Sequence, residues 1–379
     1  MSGPLTGIRI IEMAGIGPGP YAGMLFADMG ADVIRIDRTP GQAKPVDVTS
    51  RGKRSIALDL KKPESVEIVL RLLESADALF EGFRPGVMEK LGLGPEVCLQ
   101  RNPRLVYGRM TGWGQEGPLS QAAGHDINYI AVTGALDAIG RKTGGPVPPL
   151  NLVGDYGGGS MFLVTGMLAA LLEARTSGLG QVIDAAISDG VISLMSPTQA
   201  YLAGGTWELQ RESNWLDGGS HFYDTYECAD GRYVSIGSIE PQFYALLAEK
   251  LELDLGDGGY THLFEKDKWG LYKERIAERI KTKTRDEWCG IMEGTDVCFA
   301  PVLDMTEAVN YPHNQARQNY IDIDGVQQSA PAPRFSRTQA FVKSGPCAAG
   351  ANASSILAEA GIDPQKIDEL IQSGVVRHE

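Results

Sequence analysis

The sequence predicts an α/β fold: a parallel sheet covered by helices on both faces, followed by a smaller second unit. Three observations carry this. Short strand-like runs alternate with helical patterns through the first half, which is how parallel strands joined by crossover helices read. At 379 residues the chain exceeds what one hydrophobic core usually serves. Near residue 196 the periodicity lapses into a Gly-, Ser- and Trp-rich stretch, after which a new strand–helix set begins.

In order, "GIRIIEM" (7–13), "DVIRID" (32–37), "SIALDL" (55–60), "ALFEGF" (78–83) and "LVYGRM" (105–110) read as strands rich in Ile, Val, Leu and Phe. Residues 21–29 and 63–76 between them read as helices, the second opened by Pro63. The longest apolar run, 161–172, is too short to span a bilayer and reads as a buried helix. "QVIDAAI" (181–187) follows as another strand. The second unit holds strand "RYVSIGS" (232–238), a helix over 241–251, helical patterns near 268–283 and 285–293, and strand "VCFAPVL" (297–303). The polar, Pro-rich stretch 311–348 reads as a return linker, and short helices near 353–361 and 363–373 follow.

A formal net charge of −13 argues against sequence-independent nucleic-acid binding, which needs basic surface. Residues 35–62 are the exception: eight Lys/Arg against three Asp/Glu give a local +5, either a solvated loop or a site for an anionic ligand. Five scattered cysteines without a C-x-x-C pair fit reduced thiols rather than a disulfide framework or a metal site. Residues 1–11 lack a basic region followed by a long apolar one, so no signal peptide is expected. "VVRHE" is not a peroxisomal address, and a cytoplasmic location is expected.

"AGIGPGPYAGMLFADMG" after the first strand imitates a dinucleotide fingerprint. The imitation fails because Pro18 and Pro20 have no N–H to offer a pyrophosphate, and Pro20 is better suited to start a helix. Two other places carry candidate acid–base groups. In "AGHDINYIAVTG", His125 either opens a helix as a satisfied polar residue or works as a base. In "NLVGDYGGGSMFLV", Asp155 or Ser160 could cap the apolar helix. Alternatively, Gly157, Gly158 and Gly159 leave N–H groups open for an oxyanion beside a working carboxylic acid. Glu240 precedes a helix at Pro241, where acidic residues are at home. His221, His262, His313 and His378 have no such company and read as non-catalytic.

Taken together, "AGIGPGPYAGMLFADMGADVIRIDR", "RGKRSIALDLK", "RPGVMEKLGLGP", "MTGWGQEGP", "AGHDINY", "PLNLVGDYGGG", "GQVIDAAISDG", "LDGG", "YECADGRYVSIGSIEPQFY" and "APVL" resemble the alpha-methylacyl-CoA racemases of the class III CoA-transferase family. The resemblance implies a Rossmann-like large domain over 1–195, completed by 336–379, that binds CoA. It implies a small α+β domain over 225–310, linkers over 196–224 and 311–335, and an interlocked homodimer without a membrane span or nucleic-acid partner.

Carried over by position, the catalytic residues are His125 and Asp155, with Glu240 in support. The acyl-CoA contacts are Arg38, Leu58, Asp59, Leu60, Lys61, Gly124, Asp126, Ile127, Asn128 and Tyr129, with Arg84 and Lys90 helping at the nucleotide phosphates. No metal and no cofactor besides the acyl-CoA substrate is implied. The implied reaction interconverts the epimers of a 2-methylacyl thioester through an enolate. A transferase of the same family would instead use Asp155 as a nucleophile, and a silent binder would be expected to lack His125 or Asp155. One departure stands out: Ser220 and His221 occupy places where the resemblance leads one to expect Ala-Pro.

Overall fold

The computed structural model describes residues 3–255 and 263–377; His262 and His378 lie outside them. The chain forms two units. The first runs to Thr133, resumes over Leu150–Leu194 and again from Arg317; the second holds Gly134–Pro149 and Met195–Ala316.

In chain order the first unit begins with β1 (Arg9–Met13), α1 (Pro18–Asp28), β2 (Asp32–Asp37), β3 (Arg54–Ala57), α2 (Pro63–Leu73) and β4 (Ala78–Glu81). It continues with α3 (Val87–Lys90), α4 (Pro95–Arg101), β5 (Val106–Thr111) and α5 (Asp126–Ala131). After α6 (Ala135–Ala138), which belongs to the second unit, come a π-helix (Leu152–Ser160), α7 (Met161–Ser177), β6 (Val182–Ala186) and α8 (Ile187–Leu194). The second unit adds α9 (Ser196–Ala203), β7 (Tyr223–Glu227), β8 (Tyr233–Gly237), α10 (Pro241–Leu251), α11 (Lys266–Ile280), α12 (Arg285–Met292), β9 (Phe299–Pro301), α13 (Met305–Asn310) and α14 (Pro312–Ala316). The chain then returns to the first unit through β10 (Tyr320–Ile323), β11 (Val326–Ser329), α15 (Ala353–Glu359) and α16 (Pro364–Gln372).

The main sheet has six parallel strands in the order β3-β2-β1-β4-β5-β6. This is the doubly wound order, in which ligands sit beyond the carboxyl ends of the strands where the order reverses, here between β1 and β4. Strands buried on both faces read as continuous apolar runs, and Ile10, Ile11, Ile34, Ile56, Leu79 and Phe80 are almost wholly buried. Glu12 breaks the run in β1. It is fully buried and paired with the equally buried Lys53 at 2.5 Å, and Lys53 Nζ also donates to Pro20 O at 3.0 Å. Burial pushes the glutamate up and the lysine down, each toward its neutral form, while their attraction opposes this.

Three boundaries differ from the sequence reading. Helix α1 starts at Pro18, not Pro20, with Gly17 at φ 68° before it. Both prolines then fall in the first turn, where an N–H has no intrahelical partner in any case. Residues 196–224, read as a linker, contain α9 and the start of β7, which pairs antiparallel with β8. Residues 311–335, read as a return linker, contain α14 and the β10–β11 hairpin. Asp324 and Gly325 turn that hairpin with φ 54° and 79°, an Asp-Gly signal of the two-residue turn that the polar composition hid. Arg51 fastens the hairpin to the end of α1: it pairs with Asp28 at 2.6 Å and donates to Gln328 Oε1 at 2.8 Å and Ser329 O at 2.7 Å.

The π-helix and α7 run on as one helical stretch of 26 residues, longer than the apolar run that marks it in the sequence. It is long and apolar enough to cross a membrane by composition. Half of its apolar window is buried, packed on β5, β6 and α1, as the core helix of a sheet protein would be.

Candidate active site

His125 sits at the N-cap of α5 in extended backbone, and its N–H donates to Asn128 Oδ1 at 3.0 Å. The loop that presents it is locked from β5. The Tyr129 hydroxyl donates to Gly124 O, and its ring meets Trp113 edge-on at 4.8 Å. A Cβ at Gly112 would stand 2.0 Å from that ring, and one at Gly124 2.7 Å. Only glycine at both positions lets the tyrosine lie where it does. A cavity of about 370 Å³ opens beside this loop, lined by Arg84, Trp113, Gly124, His125, Asn128 and Tyr129 among others.

Asp155 lies in the π-helix. Such i→i+5 segments are rare and often mark functional places in a chain. Its backbone N–H donates to Asp126 Oδ1 at 2.7 Å, so the residue beside His125 holds Asp155 directly. Ser160, fully buried, places its hydroxyl 2.7 Å from Pro18 O and 3.2 Å from Asp155 O. Asn151 Nδ2 donates to Asp155 Oδ2 at 3.4 Å, and a Cβ at Gly17 would come within 3.3 Å of that oxygen. The "GPGP" loop thus packs against the carboxyl group.

Burial raises the Asp155 carboxyl above the usual aspartate value. The Asn151 hydrogen bond opposes the rise, the Asp126 charge adds to it, and the nearby His125 opposes it. A half-buried acid raised in this way is better suited to hold and return a proton than an ordinary surface aspartate.

The three glycines after Asp155 do not form an open anion cradle. The Tyr156 N–H already donates to Asn151 O at 3.2 Å, and the π-helical ladder takes up the N–H groups of Gly157, Gly158 and Gly159. Their purpose is close approach. A Cβ at Gly158 would meet the Ile187 carbonyl at 2.9 Å, and one at Gly190 the Gly158 carbonyl at 1.9 Å. Free donors occur instead at the start of α5: among the described residues, the N–H groups of Asp126 and Ile127 have no protein acceptor.

A second cavity, of about 400 Å³, lies at the carboxyl ends of β1 to β4, at the switch point. Arg38, Leu58, Asp59, Leu60 and Lys61 all line it, and Phe83 lines both this cavity and that of His125. Glu81 sets the turn between them: its carboxylate accepts from the Phe83 N–H at 2.6 Å and pairs with Arg109 at 3.0 Å.

The chain is 43% identical over 375 residues to a mouse alpha-methylacyl-CoA racemase, covering 98% of this chain and 97% of the relative. Against the human alpha-methylacyl-CoA racemase the identity is 42%, over 98% and 99% of the two chains. The crystal structure of a CAIB/BAIF family protein from Brucella suis superposes with a TM-score of 0.80 at 26% identity, covering 95% of this chain and all of that one. The family model for CoA-transferase family III matches residues 5–353. The chain belongs to CoA-transferase family III.

Within this family member the anticipated residues fall into separate groups. His125, Asp126 and Asp155 come together, as do Arg38, Leu58, Asp59, Leu60 and Lys61. Arg84 lines the His125 cavity rather than that of Arg38, and Lys90 is exposed on α3 and lines neither. The Leu58 side chain is core, fully buried, so only its backbone is open to a ligand. Glu240 is the N-cap of α10 in the second unit. His221 is fully buried there, its Nε2 2.8 Å from the Tyr244 hydroxyl, within a cluster that includes Phe222 and Tyr272. His313 is exposed on α14. The sequence reading missed Arg377, which lines the Arg38 cavity. No spacing pattern links residue 377 to residue 38; only the register of the segment after α16 does.

Proposed function

We propose that this chain is an alpha-methylacyl-CoA racemase, interconverting the R and S epimers of 2-methylacyl-CoA thioesters. The observation that carries the reading is the joining of His125 to Asp155 through Asp126, with the Asp155 carboxyl raised by burial. One of the pair takes the α-proton, leaving its electron pair in an enolate. The other returns a proton to the opposite face, and the enolate charge collapses back onto carbon. In the reverse direction the roles exchange. Each such group typically contributes about 10²–10⁴-fold. The N–H groups of Asp126 and Ile127, unpaired among the described residues, are the fixed donors suited to the enolate oxygen. The nucleotide end of acyl-CoA fits the basic Arg38 cavity, where guanidinium groups match phosphate. We further read the working form as an interlocked homodimer in which Glu240 supports the acid–base pair.

The rival within the family is CoA transfer with Asp155 as nucleophile. A single epimer of a 2-methylacyl-CoA, incubated without any acceptor acid, separates the two. Loss of optical purity supports the racemase. Unchanged optical purity, together with CoA passing to an added carboxylate and hydroxylamine-sensitive labelling at Asp155, would establish the transferase.

A further inference from the structure

We propose that Arg377 is a phosphate-binding residue of the acyl-CoA site, held in place by Asp59 until a phosphate of the ligand takes over from that carboxylate. The proposal rests on the acyl-CoA reading above and adds a residue and an exchange to it. Arg377 lines the same cavity as Arg38 and Lys61. Its backbone is fixed there, because its N–H donates to Ala57 O at 2.9 Å and the neighbouring Val376 bridges Leu58. The guanidinium donates to Asp59 Oδ2 at 2.7 Å and to Arg38 O at 3.0 Å. A third of the side chain remains open to solvent.

An arginine has five N–H donors in a rigid fork, so two bonds leave capacity for a phosphate. Asp59 is the odd member of the cavity. A carboxylate placed against an anionic ligand repels it, and among the described residues its Oδ1 is engaged by the Lys61 N–H alone, at 3.3 Å. Its position is explained if it keeps Arg377 extended and ready for an incoming phosphate. When a phosphate enters, charge-assisted bonds to the phosphate replace the bond to Asp59.

The consequence is a pair of substitutions with opposite signs. Titration calorimetry with free CoA on the full chain should show Arg377→Ala weakening binding by about tenfold, the scale of one lost charge-assisted contact. Arg377→Lys should recover part of that. Asp59→Asn should bind CoA at least as tightly as the unaltered chain, because a repelling charge is gone and the arginine is free. If Arg377 and Asp59 were only a structural pair, both substitutions would weaken binding alike, and that result would overturn the proposal. Full CoA affinity in Arg377→Ala would overturn it as well, leaving the acyl-CoA reading intact. An unaltered chain that binds no CoA would remove both together.

Discussion

The Oδ1 atom of Asp126 accepts a hydrogen bond from the backbone N–H of Asp155 at 2.7 Å, across 29 positions of sequence. The segment that carries His125 is therefore tied directly to the π-helix that carries Asp155. The same carboxylate adds to the upward shift of Asp155. Asp126→Asn keeps an oxygen acceptor but loses the charge, so the Asp155 limb of the pH–rate profile should move to lower pH with activity largely retained. Asp126→Ala leaves a partly buried N–H unpaired, which costs about 1–3 kcal/mol. Urea unfolding and the rate of epimer interconversion should both fall in the alanine variant. Equal profiles for Asp126→Asn and the unaltered protein would show that the contact does not tune Asp155.

The raised carboxyl of Asp155 has a sign that stability measurements can read. A group with a higher pKa in the folded state than in the unfolded one binds its proton more tightly when folded. Its contribution is complete below the unfolded value and is lost as pH rises through the folded one. At neutral pH the ionised Asp155 is thus a liability to the fold. Asp155→Asn should melt higher than the unaltered chain at pH 7, and the gap should close as pH falls below the ordinary aspartate range. A gap that widens toward low pH would mean that the carboxyl is not raised.

Two glycines should answer oppositely to alanine. A Cβ at Gly190 meets the backbone of Gly158, carbonyl and Cα, with no flexible side chain to give way. Gly190→Ala should cost about 3 kcal/mol or more, at the upper end for overpacking. Gly270, inside α11, has open space around its Cβ position. Gly270→Ala should gain about 0.5–1 kcal/mol from helix propensity alone. Denaturant midpoints of the two variants check both signs.

The Glu12–Lys53 pair beneath α1 is a buried ion pair, and removing one partner strands the other. Lys53→Met should destabilise by about 3–5 kcal/mol, with much of that recovered in the Glu12→Gln/Lys53→Met double variant. Two single losses that simply add in the double variant would show that the residues do not interact.

What the sequence made legible was the part governed by period and composition. The inner strand runs such as "RIIEM" and "ALFE" carry their burial in their own apolar content, whereas "VIDAA" at the sheet edge is mostly exposed, and the order of the strands follows from pairings that no local pattern displays. The +5 stretch over 35–62 marked one wall of the Arg38 cavity. Other features depended on contacts distant in the chain. The triple glycine after Asp155 reads locally as an anion cradle, yet it exists so that α8 can approach at Gly190. Arg377 carries no local signal, because only the segment after α16 brings it beside Asp59. Ser220 and His221 stood out as a departure, but a buried partner such as Tyr244 becomes apparent only when the core of the second unit is assembled.

The central claim is that His125 and Asp155 serve opposite faces of one enolate, and deuterium exchange at the α-carbon tests it most directly. Each epimer of a 2-methylacyl-CoA would be incubated separately in deuterated water with the unaltered chain, with His125→Ala and with Asp155→Asn. The unaltered chain should exchange and invert both epimers. Each variant should lose inversion by about 10²-fold or more. Each should keep exchange on one epimer only, and the two should keep it on opposite epimers. Inversion at the unaltered rate in either variant, or loss of exchange from the same epimer in both, would contradict the account.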